Sequence, residues 1–158
     1  MTPFSALQLK SHYFPLVNIR ANVGGAATGK ILFDQNIVAV PEPGKQNQWH
    51  LEIFFTQKST DASAPFLYDV ELQVVGLFEL IADFPGGDKE TLVRVNGLGI
   101  LYGAAREMVL NITARSLHGP LSLPVVNFVE VLKQGNVQAP AAAAPTSEHV
   151  PQSGGMPG

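Results

Sequence analysis

The sequence contains no cysteine, and this absence removes several kinds of chemistry. Without thiols the chain can form no disulfide, no thiolate metal site and no cysteine nucleophile. Charge is also scarce, because only 15% of the 158 residues are Asp, Glu, Lys or Arg. The formal net charge at pH 7 is -3, and the basic residues form no cluster. A binding surface for nucleic acid or for an anionic membrane is therefore not expected.

The short motifs that mark common catalytic and nucleotide-binding sites are missing as well. The sequence has no GxSxG, no Walker-type GK[ST] and no GxGxxG pattern. Its histidines lack the spacing to each other or to carboxylates that would suggest a metal site. They are scattered over the chain: His12, His50, His118 and His149. We therefore expect no catalytic residue, no cofactor and no metal.

Long apolar runs are also absent. No run approaches the ~20 residues that a membrane-spanning helix needs. The opening MTPFSALQLK lacks the basic start and the continuous apolar stretch of a signal peptide. The expectation is a cytoplasmic protein whose length suits one domain.

The clearest feature that is present is a helical pattern over residues 88–115. Asp88 can cap its start, and Glu90 lies in the first turn, where the helix dipole favours negative charge. At 100° per residue, one broad arc collects the apolar side chains that should form the core face. These are Val95, Leu98, Leu101, Tyr102, Ala105, Met108, Val109 and Ile112. Further apolar residues fall outside the arc, so the helix should be covered from two sides.

Three glycines interrupt this pattern, at Gly97, Gly99 and Gly103. Each costs a helix roughly 0.8–1 kcal/mol relative to alanine. The spacing of four between Gly99 and Gly103 leaves a smooth surface that another backbone could approach closely. The alternative is that the glycines split the segment into two short helices.

Four strands are predicted upstream, over residues 6–22, 30–40, 49–58 and 66–82. Pro15 should make the first irregular, and the second should kink at 34–36. In the third, Leu51, Ile53, Phe55 and Gln57, together with Phe54, mark the buried face. The fourth alternates most clearly, with Val70, Leu72 and Val74 on one side, and its Gly76 indicates a bulge or a close backbone approach.

Downstream of the long helix, residues 116–125 form an apolar loop that two prolines and a glycine keep irregular. Asn127 should cap a short helix over 128–133 that Gly135 ends. The predicted domains are a folded unit at 1–135 and a disordered tail rich in Pro, Ala and Gly at 136–158. Strands followed by helices predict an α+β fold, with a four-stranded antiparallel sheet and both helices on one face. The second apolar side of the long helix then predicts a homo-oligomer.

Three segments in the second half of the chain resemble the SecB family of export chaperones. They are FLYDVELQVVGLFEL at 66–80, GILYGAAREMVLNIT at 99–113 and LSLPVVNF at 121–128. The resemblance implies an α+β subunit that assembles as a dimer of dimers. It also implies a chaperone that holds unfolded precursor proteins without ATP and passes them to the SecA motor of the translocase.

The resemblance also assigns roles to residues. Positions matching the family's client grooves are Val70, Leu72, Val74, Leu117, Leu121, Leu123 and Phe128. Glu71 matches an acidic strand residue that the family uses to dock SecA, although the first strand supplies no acidic counterpart. The tetramer interface is expected at Gly99, Tyr102, Gly103, Arg106 and Val109.

Several alternatives stay open at this point. The strand side chains assigned to the groove could be packed permanently under the helices, and Glu71 could be an ordinary solvated residue. The chain could be a SecB-like chaperone dedicated to one client, such as an antitoxin. A domain of a different class, which binds a small ligand between sheet and helices, is the further alternative.

Overall fold

The computed structural model describes residues 5–26, 29–33, 37–81, 87–134 and 137–138. Six strands and two helices follow one another along the chain. The first five strands are β1 (Leu7–Ala21), β2 (Leu32–Phe33), β3 (Ile37–Pro41), β4 (Gln48–Gln57) and β5 (Tyr68–Leu80). The helices are α1 (residues 89–113) and α2 (Phe128–Lys133), and the chain then adds β6 (Val137–Gln138). The predicted α+β fold is confirmed.

All six strands form one sheet in the order β1-β5-β4-β3-β6, with β2 also paired to β4. Every pairing is antiparallel except the short contact of β6 with β3, which is parallel. The predicted second strand is present as two short strands, β2 and β3, on either side of the predicted kink. Residues 34–36, where that kink was placed, lie outside the described residues.

Strand β1 is irregular, as its sequence predicts. Its register with β5 shifts between Leu9 and Ser11, and again between Tyr13 and Leu16. The second shift spans Pro15, which has no N–H to donate to a ladder. The irregularity leaves β1 at the edge of the sheet, paired on one side among the described residues.

Helix α1 runs unbroken for 25 residues, so the glycines do not split it. It consists of an α-helical turn at Lys89–Leu92, a π-helical segment at Val93–Gly97 and an α-helix at Leu98–Thr113. The Asp88 carboxylate caps the start by accepting a hydrogen bond from Thr91 N at 3.1 Å. The Asn127 side chain likewise caps α2 by accepting from Val129 N at 3.1 Å. Both predicted caps are confirmed.

The π-helical segment changes which side chains of α1 face the sheet. A π turn contains one extra residue, so Val93 aligns with Leu98 and is buried, although an unbroken α-helical wheel places it outside the core arc. At the other end, Ile112 was assigned to the core face but is exposed, and Thr113 is buried instead. The physical reason is that the Thr113 hydroxyl accepts a hydrogen bond from the segment that follows α1. That segment therefore covers Thr113 and leaves Ile112 exposed.

The core fills the space between α1 and one face of the sheet. Its largest contributions come from alternate residues of β4 and β5, which point toward the helix. Gly76 on β5 allows this close approach, because an added Cβ would lie 2.8 Å from Leu101 Cδ1. The β4–β5 register passes through Gly76 without a shift, so the close approach explains this glycine and a bulge does not.

Two residues of the segment predicted to be a disordered tail, Val137 and Gln138, pair with β3. Gly135, the predicted end of α2, and the remainder of the tail at 139–158 lie outside the described residues. The boundary between folded domain and tail therefore stays a prediction. Within the described parts of the chain, no helix has the length and apolar character needed to cross a membrane.

Candidate functional site

The loop that connects α1 to α2, residues 116–127, crosses the edge of the core as an extended strap. At its start, the Tyr68 hydroxyl donates to Gly119 O at 2.7 Å and accepts from His118 N at 3.1 Å. The Thr113 hydroxyl accepts from Leu121 N at 2.8 Å and donates to Val109 O at 2.7 Å. The strand β5 and the end of α1 therefore both hold the first half of the strap.

Helix α1 holds the second half of the strap. Arg106 Nε donates to Leu123 O at 2.9 Å, and the Tyr102 hydroxyl donates to Pro124 O at 3.0 Å. Burial raises the pKa of Tyr102 to about 12, with Arg106 opposing the shift. A raised phenol pKa keeps the hydroxyl protonated throughout the neutral range, so it remains a donor to the strap. These side-chain bonds satisfy strap backbone groups that no sheet ladder satisfies.

Four aromatic rings meet where β2, β4, α1 and α2 converge, and we call them the aromatic cluster. They are Phe33, Phe55, Tyr102 and Phe128. The Tyr102 ring centroid lies 5.8 Å from that of Phe33, 5.7 Å from that of Phe55 and 5.8 Å from that of Phe128. Phe33 also lies 5.9 Å from Phe128, and these pairs are tilted or edge-to-face, the preferred aromatic geometry. Only Phe33 retains partial exposure, since the other three rings are buried.

Six of the seven side chains predicted to bind clients are buried by the chain's own helices and strap. Val70, Leu72 and Val74 are all 0% exposed, because their side of β5 faces α1. The other three are Leu121, Leu123 and Phe128. Leu117 differs, because it is 64% exposed on the strap. In this conformation the six side chains form core, and a client could contact them only after the covering segments move.

The five residues predicted to form the oligomer interface divide between two sides of α1. Gly99 and Gly103 face outward, and an added Cβ at either would meet no atom of the chain within 4 Å. Tyr102 and Val109 are buried against the chain's own sheet, and Arg106 reaches the strap. Residues adjacent in sequence point 100° apart around a helix, so Tyr102 and Gly103 serve different surfaces. The outward side also carries Ile100 and Leu110, each 41% exposed.

Glu71 lies on the sheet face opposite the helices, which we call the open face. Its carboxylate forms an ion pair with Lys58. The next position on that face, Asp69, pairs with Arg20 at 3.0 Å. Burial alone would raise the pKa of Asp69, but hydrogen bonds from Ser59 and Arg20 hold it below its usual range. Acidic groups on this part of the open face are thus matched by basic ones.

The open face also contains an open cleft of about 440 Å³. Its lining mixes both signs of charge with neutral polar groups, which are Asn18, Arg20, Lys58, Ser59, Asp69 and Glu71. The lining also includes Val70, whose buried side chain faces α1. Over the described ranges, no group of three or more His, Asp or Glu side chains is arranged to hold a metal ion.

Sequence reasoning missed three residues that organise the site, namely Tyr68, Thr113 and Phe33. Tyr68 and Thr113 were assigned no role, yet they fix the strap. The partner of Tyr68 lies 51 residues away, so no local period indicates the contact. Phe33 was assigned only to the second predicted strand, and the apolar run Ile31, Leu32, Phe33 was the available signal.

The fold and the site define an α+β domain whose apolar core is covered by the strap and by the short strand β2. The family profile described as "Preprotein translocase subunit SecB" matches residues 29–139, more than half of the chain. The chain therefore belongs to the SecB family, and the predicted resemblance is confirmed.

A solved structure of a SecB-like chaperone shows the same fold. The SecB-like chaperone Rv1957 of Mycobacterium tuberculosis, solved in complex with a ChAD peptide from the HigA1 antitoxin Rv1956, matches with a TM-score of 0.56 and 16% identity. That match covers 77% of this chain and 91% of the other. A protein of unknown function from Streptococcus agalactiae matches with a TM-score of 0.41 and 8% identity, over 75% of this chain and 96% of the other. No curated protein matches the chain significantly.

Proposed function

We propose that this protein is an ATP-independent holdase, a chaperone that binds unfolded polypeptides and performs no catalysis. Membership of the SecB family supports a chaperone role. The observation that carries the proposal is a set of exposed apolar side chains on the strap and on α2. On the strap Leu117 is 64% and Val125 83% exposed, and on α2 Val129 is exposed beside buried Phe128. Exposed apolar groups that gather on a protein surface mark interaction sites.

The strap is suited to this role because its backbone is fixed while several of its side chains face outward. Hydrogen bonds from Arg106 and Tyr102 hold the backbone around Leu123 and Pro124. A held backbone loses little additional conformational entropy when a client binds. The outward Leu117 and Val125 can then contact many sequences, since apolar burial of about 25 cal/mol per Å² is non-directional.

Such binding requires no nucleotide. Many shallow apolar contacts together hold an unfolded chain, and each contact can be lost separately when a competitor arrives. Release then follows from refolding of the client or from capture by another protein. We propose that this exchange takes place in the cytoplasm.

The test is an aggregation assay with a chemically unfolded model protein that scatters light when diluted into buffer. We expect the purified chain to suppress scattering at stoichiometric ratios, with no change on adding ATP. A matched Leu117→Ser, Val125→Ser variant should suppress less while unfolding at the same urea concentration, because both side chains are exposed. Unchanged aggregation in the presence of the parent protein would contradict the holdase function.

We also propose that the subunits form a tetramer, a dimer of dimers. The outward side of α1, with Gly99, Ile100, Gly103 and Leu110, supports a helix-to-helix contact. Because glycine has no side chain, Gly99 and Gly103 let two helix backbones approach closely. The exposed side chains of Ile100 and Leu110 would then become buried in the contact.

Two kinds of client fit the proposal. One is the set of unfolded precursors destined for the Sec translocase, with delivery through SecA docking at Glu71. The other is a single dedicated client, which the fold shared with Rv1957 and its antitoxin peptide complex makes a specific candidate. The open face favours the second. Because Lys58 and Arg20 neutralise Glu71 and Asp69, that face offers a basic partner little net attraction.

The first alternative, delivery of precursors to the Sec translocase, predicts a contact with SecA that depends on charge. If SecA docks through Glu71, Glu71→Lys should weaken SecA binding at least tenfold, since like charges would then face one another. Binding is measured by titrating labelled SecA at low and moderate salt. Equal SecA affinities of the parent and the Glu71→Lys variant, or no affinity in either, would contradict docking through this residue.

A further inference from the structure

Two segments cover the aromatic cluster, the strap and β2, and they differ in how firmly they are attached to the rest of the domain. The strap is bonded to α1 and β5 through the side chains of Tyr68, Thr113, Tyr102 and Arg106. The other cover is β2, a strand of two residues that, among the described residues, pairs only with β4. Its register consists of Leu32 opposite Thr56 and Phe33 opposite Phe55. An element with few backbone pairs opens at a lower free energy than one held at many points.

The side chains of β2 point to opposite sides of the sheet. Leu32 is 61% exposed and contributes little burial. Phe33 points into the aromatic cluster, with its centroid 6.1 Å from Phe55 and 5.9 Å from Phe128. Among the described residues, β2 is attached through two residues of strand pairing and the Phe33 ring, and the preceding Ile31 also packs against the core.

We propose that Phe33 is a removable plug, an autoinhibitory contact that a client's aromatic side chain displaces. This inference rests on the proposed holdase function. An incoming phenylalanine can regain the same edge-to-face contacts with Tyr102, Phe55 and Phe128, so the exchange of rings is nearly balanced. A client segment that is extended can also replace β2 as the strand paired with this end of β4, which compensates for the lost backbone pairs.

The plug accounts for the burial of Phe128, whereas the other buried residues of the predicted client groove lie under α1 or on the strap. With β2 in place, Phe128 is covered and the free protein exposes less apolar surface, which limits self-aggregation. With β2 displaced, Phe128 and Tyr102 form the floor of a groove between β4, α1 and α2. Plugged and unplugged states then compete, and the apparent client affinity falls in proportion to the unplugged fraction.

A reversible lock on β2 provides the test, and the chain's lack of cysteine makes it specific. Leu32→Cys with Thr56→Cys places two thiols at directly paired positions, where Cβ atoms lie close enough for a disulfide. The control pair is Val40→Cys with His50→Cys, which crosslinks β3 to β4 and leaves β2 free. The probe is a fluorescein-labelled peptide of alternating phenylalanine and serine, and its binding is measured by anisotropy.

We expect the oxidised Leu32→Cys, Thr56→Cys protein to bind the peptide at least about tenfold more weakly than its reduced form, because the closed state is fixed. The oxidised control should bind like the parent. Phe33→Ala, which removes the plug and keeps the strand, should bind several-fold more tightly than the parent. Equal binding by oxidised and reduced forms, together with no gain in Phe33→Ala, would overturn the plug while leaving the holdase function intact. A parent protein that binds no peptide at all would overturn the holdase function and the plug with it.

Discussion

Replacing Gly103 with arginine is expected to convert the proposed tetramer into smaller species. Position 103 faces outward on α1, where an added side chain meets no atom of its own chain. The fold of the subunit should therefore tolerate arginine. Within a close contact between two helices, however, an unpaired guanidinium is costly, at about 3–5 kcal/mol. The dissociation constant of the assembly should rise at least about a hundredfold.

The measurement is sedimentation velocity at micromolar protein, supported by circular dichroism to verify that the helix content is unchanged. Thr60→Arg is the matched control, because it adds the same charge on the exposed turn between β4 and β5. We expect the control to sediment like the parent. An unchanged sedimentation coefficient for Gly103→Arg would place the assembly interface elsewhere on the subunit. A parent protein that is already monomeric would contradict the proposed tetramer.

Removing the Phe128 ring is expected to cause the largest loss of stability. Phe128 is buried at the start of α2, with its ring 5.8 Å from Tyr102 and 5.9 Å from Phe33. Phe128→Ala should lower the free energy of unfolding by about 3–5 kcal/mol, because rings held in place by strap and sheet cannot close the cavity. The capping residue Asn127 is unchanged, so the loss reports packing and not helix initiation.

Urea denaturation followed by circular dichroism tests this expectation. The control is Val129→Ala, one residue along the same helix, where the side chain is already exposed. It should change the free energy of unfolding by no more than about 0.5 kcal/mol. If Phe128→Ala were as mild as the control, the aromatic cluster would contribute little to the folded state, and its description as a packed site would be wrong.

Much of the fold follows from local patterns. The alternation of β4 has a period of two, so residues that face α1, such as Leu51 and Ile53, could be assigned correctly from sequence. Asp88 and Asn127 were recognisable as caps because capping depends on the first turn alone. Pro15 indicated the irregularity of β1 for a similarly local reason.

The errors arose where geometry depends on distant contacts. The π-helical segment has one extra residue in its turn and so brings Val93 to the core side of α1. A helical wheel drawn at 100° per residue does not allow for that extra residue. Ile112 is exposed because Thr113 binds the strap, a contact made after the chain reverses direction. The parallel pairing of β6 with β3 joins residues a hundred positions apart, as Ile37 and Val137, and no local pattern indicates it.

The residues that the family motifs assign to the client groove stay a prediction as a binding site. Six of the seven lie in the core cluster formed by β5, the strap and α2, and Leu117 does not. The motifs could not indicate that Val70, Leu72 and Val74 are sealed by α1 in this conformation, since burial is a property of the whole packed chain. The polar residues that hold the strap, Tyr68 and Thr113, act through bonds to backbone atoms and have no sequence signature.

The central claim is that the protein recognises polypeptides through exposed apolar surface that only unfolded chains can match. The most direct measurement titrates the protein against a single labelled polypeptide prepared in both its folded and its permanently unfolded form. We predict saturable binding of the unfolded form, unaffected by ATP, and no detectable binding of the folded form. Equal affinity for the two forms, or none for either, would contradict the account.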